Sequence, residues 1–171
     1  MKISDRVRRI GGPLAALLAC LAASSFVPRG TVQATPSSGF TSVTISASGV
    51  PAIALKTVSA THQVRINTKG LSDVHVTSNI VAPGGYSGWH THPGPSIVVV
   101  KSGTATVYDG DDPTCTPQVY EAGSAFVDLG GGDVHMVRNE NSVNLETVAF
   151  QIVPAGAPRR DDMPDPGFCG F

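Results

Sequence analysis

Three of the five histidines in this chain are spaced as metal ligands would be. His90-Thr91-His92 is an HxH pair, and on an extended strand residues i and i+2 project from one face, so both imidazoles can meet one ion. His135 lies on a later strand-like run, after the turn Gly130-Gly131-Gly132, and would complete the set from a distant part of the chain. Three neutral imidazoles suit a divalent transition metal, with Fe, Mn and Zn all compatible, and leave positions open to water, dioxygen or an anionic chelating substrate. The chemistry expected is Lewis-acid or oxygen chemistry. The competing reading is that the histidines stand in a fold that no longer binds metal.

Other candidates for chemistry fare less well. His62 and His75 have no partner at ligand spacing, and His75 alternates out of phase with Val74 and Val76, which predicts a solvent or subunit-boundary position. Ser102 and Ser124 belong to no nucleophile motif. The triple glycine precedes no helix and is therefore no phosphate loop. Glu146 offers a carboxylate but alternates in phase with Val148, Phe150 and Ile152, and Glu121 beside a turn reads as a solvated charge.

The elements that must position the histidines are strands. Short β-branched and aromatic runs alternate with Gly/Pro/Asp clusters, and the 19 glycines and 13 prolines argue against long helices. Strands are expected at 41–47, 53–59, 63–67, 74–81, 96–101, 104–108, 118–120, 125–128, 135–138 and 143–153. Lys101-Ser102-Gly103 reads as a tight hairpin between two of them. The stretch from Pro154 to Phe171 holds four prolines and no period, which predicts an irregular arm.

With flanking residues included, the chain resembles the cupin family. Its first motif, G-x5-H-x-H-x3,4-E-x6-G, is met by Gly84, His90, His92 and Gly103, with Ser96 where the family usually has Glu. Its second, G-x5-P-x-G-x2-H-x3-N, is met by Gly123, Gly132, His135 and Asn139, with one extra residue after Gly123 and Gly130 in the proline position. The resemblance implies an all-β, antiparallel jelly-roll barrel with a metal held inside by His90, His92 and His135. Ser96, Tyr86, Trp89, Phe126, Met136 and Asn139 are then expected around the pocket or just behind it. Asn139 is read as fixing the second-motif turn, and barrel packing is an alternative role for the two aromatics beside the HxH pair.

The ends of the chain carry a different message. Lys2, Arg6, Arg8 and Arg9 precede an apolar run from Pro13 to Val27, and Val32-Gln33-Ala34 fits the small-x-small cleavage rule, so residues 1–34 read as an export signal. Leu17-Leu18-Ala19-Cys20 is the alternative, a lipobox that would leave a lipid anchor at Cys20. The run is shorter than the roughly 20 residues a membrane helix needs. Five of the twelve basic residues and one of the thirteen acidic ones lie in 1–34, so the remainder carries −5, which opposes nucleic-acid binding. Export leaves Cys115 and Cys169 as an even pair, read as a disulfide, with two separate thiols as the alternative. The expected organisation is a signal peptide (1–34), a linker (35–40), the barrel (41–153) and the arm (154–171).

The function expected is that of a secreted or envelope protein, a single cupin domain binding one divalent metal through three histidines. The resemblance suggests a non-haem-iron type oxygenase acting on a small molecule, and a homodimer through a β-edge. The alternative is a non-catalytic module that captures a small molecule, with or without metal. A third reading is a lipid-anchored surface protein whose barrel contacts other proteins.

Overall fold

The computed structural model describes residues 33–171. The expectations of a signal peptide and of a lipidated Cys20 fall on residues outside that range, apart from Gln33 and Ala34. Among the described residues every regular element is a strand: β1 (Ser38–Val50), β2 (Ala54–Val58), β3 (Gln63–Asn67), β4 (Ser72–Tyr86), β5 (His90–Thr91), β6 (Ser96–Ser102), β7 (Thr104–Asp109), β8 (Gln118–Glu121), β9 (Ala125–Asp128), β10 (His135–Arg138), β11 (Leu145–Pro154) and β12 (Asp161–Asp162). All pairs are antiparallel. Ten strands form one barrel sheet in the order β12-β5-β10-β4-β11-β6-β9, with β1 on β4 and β7 bridging β10 and β8. The hairpin β2–β3 pairs only with itself.

Side-chain alternation fixes which residues enter the barrel. On β11, Leu145, Thr147, Ala149, Gln151 and Val153 are buried, while Phe150 between them is exposed. Their register partners on β4 include Asn79 and Thr77, which are buried with them, whereas Ile80 is 42% exposed. Polar residues thus line much of the inside, and Ile97, Val99, Val127 and Phe150 stand on the outside. This inverts the usual expectation for a half-buried sheet, and it explains why His75 was misplaced. His75 pairs with Gln151, and paired residues share a face, so it turns inward rather than to solvent; it is half-buried, with its Nε2 buried and unpartnered.

Two apolar clusters hold the barrel. Val81, Val100, Ala105, Val107, Phe126 and Leu145 close one end of the interior. Trp89, Tyr108 and Met136 form a second cluster, with Tyr86, Cys115, Met163 and Cys169 packed on it. Cys115 and Cys169 are disulfide-bonded across 54 residues, which ties the C-terminal arm to this second cluster. The segment expected as a linker is not free. Its Thr35 N–H donates to Met163 O (2.9 Å) of the arm, and β1 already begins at Ser38, which pairs with Tyr86 of β4.

Candidate metal centre

His90, His92 and His135 converge. Antiparallel pairing sets His135 of β10 opposite His90 of β5, and His92 follows two residues on. The ring centroids of His90 lie 4.9 Å from His92 and 4.3 Å from His135, and one nitrogen from each of the three can be chosen so that all lie within 4.8 Å. All three side chains are buried.

Carbonyl groups set the tautomers of the first two. His90 Nδ1 donates to Gly88 O (2.9 Å), and His92 Nδ1 donates to Arg159 O (2.7 Å) on the C-terminal arm. Each ring therefore keeps the Nε2 lone pair free, the arrangement in which histidines ligate metals. Because His92 Nδ1 carries the proton, the amide of Gln151 turns its Nε2–H to Ser96 Oγ (2.9 Å) instead. Burial holds the His90 imidazolium well below its ordinary acidity range, helped by the charges of His135, Arg160 and His92. Burial also lowers His92, against the opposing pull of the Arg159 carbonyl and Asp128. Both rings are neutral near pH 7 and ready to donate a lone pair.

The cavity they face has a volume of about 60 Å³. Its wall combines apolar residues (Phe40, Val81, Val98, Phe126, Val137, Ala149) with polar ones (Asn79, Ser96, Thr147, Gln151). Arg159 reaches into it, donating to Gln151 Oε1 and Ser42 Oγ, both at 3.2 Å. Among the described residues no carboxylate pairs with it. Asp128 completes the wall, with Oδ2 3.3 Å from His92 Nε2 and Oδ1 3.7 Å from His135 Nδ1.

The family model for the cupin domain matches residues 79–159, the span that holds all three histidines. Residues 79–159 form a cupin domain. This cupin is similar in structure to an uncharacterised protein with a double-stranded beta-helix domain from Klebsiella pneumoniae subsp. pneumoniae, at 22% identity and a TM-score of 0.44, covering 52% of this chain and 73% of the other. It is also similar to a polyketide cyclase from Streptomyces resistomycificus, at 15% identity and a TM-score of 0.49, covering 82% and 87%. An oxalate oxidase matches at 25% identity and a TM-score of 0.40, covering 48% of this cupin and 46% of that chain. No curated protein matches the sequence.

The residues expected around the pocket divide by strand face. Ser96 and Phe126 line the cavity. Tyr86, Trp89 and Met136 do not. Trp89 and Met136 each neighbour a histidine in sequence and so point to the opposite face, and all three pack in the second apolar cluster. Asn139 also stands away from the cavity. Its Nδ2 donates to Val81 O and Val143 O, and its Oδ1 accepts from Asn141 N, which fixes the turn after β10.

Sequence reading missed Asp128, Gln151 and Arg159. The signal for Asp128 was there: it alternates in phase with Phe126 on β9, the buried face of that strand. Arg159 sits in the proline-rich arm, where periodicity says nothing about direction. The donor set fits a divalent metal on an internal criterion, since Asp128 Oδ2 and His135 Nδ1 are buried at the site without hydrogen-bond partners. Unpaired polar atoms of this kind are costly to bury unless something polar or charged meets them.

Proposed function

We propose that this protein is an exported cupin that holds one divalent metal through His90, His92 and His135 and presents it to a small anionic molecule, as a non-haem-iron type oxygenase does. The observation that carries the reading is the shared cavity: three buried imidazoles with free lone pairs face the same space as a guanidinium with no carboxylate partner. A divalent ion there supplies Lewis-acid polarisation and, if redox-active, electron transfer.

The chain's own groups do the rest. The Gly88 and Arg159 carbonyls keep two imidazoles aimed inward. Gln151 and Ser42 hold the Arg159 guanidinium in place, leaving further N–H donors for a carboxylate or similar anion. Phe40, Val81, Val98 and Phe126 give the cavity its apolar surface. The cavity is polar and roomy enough for water or a small ligand. The second reading is capture of a small anion at the same site without turnover. Export is supported by the signal-like residues 1–34 and by the disulfide, which persists in oxidising compartments.

Elemental analysis of protein made with ample metal tests the reading. One transition metal per chain is expected, lost when His90 and His135 are both changed to Ala. Metal content unaffected by that change overturns it. Oxygen consumption with small carboxylates, thiols or diketones then separates the oxygenase from the capture module.

A further inference from the structure

We propose that Asp128 is the carboxylate ligand of the metal, supplied from the strand beside the one that carries Ser96. The inference rests on the three-histidine reading and names a fourth donor that neither motif contains.

Register makes the substitution geometrically direct. β6 and β9 are antiparallel, and Ser96 pairs with Asp128, so the two side chains stand on one face about 5 Å apart at the backbone. Gln151 of β11 pairs with Ser96 from the other side and occupies its hydroxyl. The Ser96 position is thereby committed to a hydrogen bond within the wall, while the carboxylate next to it is not.

Asp128 has one oxygen satisfied and one not. Oδ1 accepts from Gly130 N (2.8 Å), whereas Oδ2 is buried and receives no hydrogen bond. His92 Nε2 lies 3.3 Å from Oδ2. That nitrogen has no proton to give, because the ring's proton sits on Nδ1 and is bonded to the Arg159 carbonyl. Two lone pairs facing each other in a buried cavity repel, and a cation between them reverses the sign of that interaction. The spacing suits one: donor atoms each 2.0–2.1 Å from a tetrahedral ion lie roughly 3.3 Å apart. His135 Nδ1, also unpartnered, lies 3.7 Å from Oδ1 on the same side. Charge points the same way, since three neutral imidazoles leave a dication uncompensated and one carboxylate halves its net charge.

The test is a Co²⁺ and Zn²⁺ titration of metal-free wild type and Asp128→Asn. Asn keeps the size of the side chain and the acceptor for Gly130 N–H, and circular dichroism checks its folding. The variant is expected to bind Zn²⁺ more than about 100-fold more weakly, beyond the 10–100-fold typical of residues that only orient a ligand. Its visible Co²⁺ spectrum should change in position and intensity. An unchanged spectrum with affinity within tenfold of wild type overturns the inference while leaving the three-histidine reading intact. A wild type that takes up neither ion overturns both. A crystal structure of the Zn²⁺-loaded wild type gives an answer independent of the variant. An Asp128 oxygen at about 2.0–2.2 Å from the ion is expected, and one beyond about 3 Å refutes the assignment.

Discussion

Breaking the Cys115–Cys169 bridge should cost about 4 kcal/mol of folding stability. The cross-link closes 54 residues of chain, and the loop-entropy relation gives about 14 cal/mol/K for a loop of that size, hence about 4 kcal/mol at 25 °C. For a folded unit of about 140 residues, with an unfolding entropy of about 2.1 cal/mol/K per residue, the melting temperature should fall by roughly 14 °C. The variant of choice is Cys169→Ala. Cys115 adopts a left-handed backbone (φ 50°), so replacing it would mix backbone strain into the result. The assay is urea denaturation of the oxidised wild type, the reduced wild type and Cys169→Ala, with the slope compared as well as the midpoint. The arm has other attachments, among them the pairing of Asp161 and Asp162 with Thr91 and His90 and the Met163 N–H bond to Trp89 O. Metal uptake by the reduced protein should therefore survive below its lowered melting temperature. A stability loss under about 1 kcal/mol in both unbridged forms, with unchanged slope, would refute the entropic account.

Three further predictions follow from particular groups. Burial lowers the pKa of His90 and His92 below the ordinary imidazole value, so the metal-free protein should lose stability as pH falls through that value, because the unfolded chain binds more protons there. Denaturant melts of the metal-free protein that show no loss between pH 7 and about pH 5 would contradict this. Gly130→Ala should destabilise by about 2 kcal/mol or more, because φ is +64° and the added Cβ meets the Gly94 carbonyl oxygen and lies 2.9 Å from that of His92. Gly131→Ala, at φ +66° with open space around it, should cost only about 1–2 kcal/mol, and equal losses in denaturant melts would show the contact to be irrelevant. Asp112 should titrate at about 2, held down first by the Thr114 hydroxyl and then by the Thr116 and Thr114 amides. Its contribution to stability is present above the ordinary carboxylate range and is lost as pH falls through about 2, and Thr114→Val should raise the value seen by NMR.

Most of the barrel could be read from the sequence because strand residues advertise themselves by type and are cut by Gly and Pro. The runs 63–67, 125–128 and 135–138 coincide with β3, β9 and β10. The two-residue strands β5 and β12 could not be found that way, since their pairing depends on neighbours supplied by the fold rather than on local composition. The histidines were legible through spacing. Their surroundings were not, because Gln151, Ser96 and Asp128 form a row only once three strands are in register. Reading apolar residues as inward also failed on β4 and β11, where Ile80 and Phe150 face out and Asn79, Thr147 and Gln151 face in. A polar interior is what a ligand cavity requires, and it reverses the pattern that a purely structural core would produce.

The acceptor for His92 is a backbone oxygen at position 159, contributed by the segment between β11 and β12 near the end of the chain. During synthesis the imidazoles at 90, 92 and 135 all emerge well before the piece that locks one of them. A nascent chain with its barrel already closed would still carry a loose ring. On the proposed reading, the site is complete only once the tail has folded back over the middle of the polypeptide.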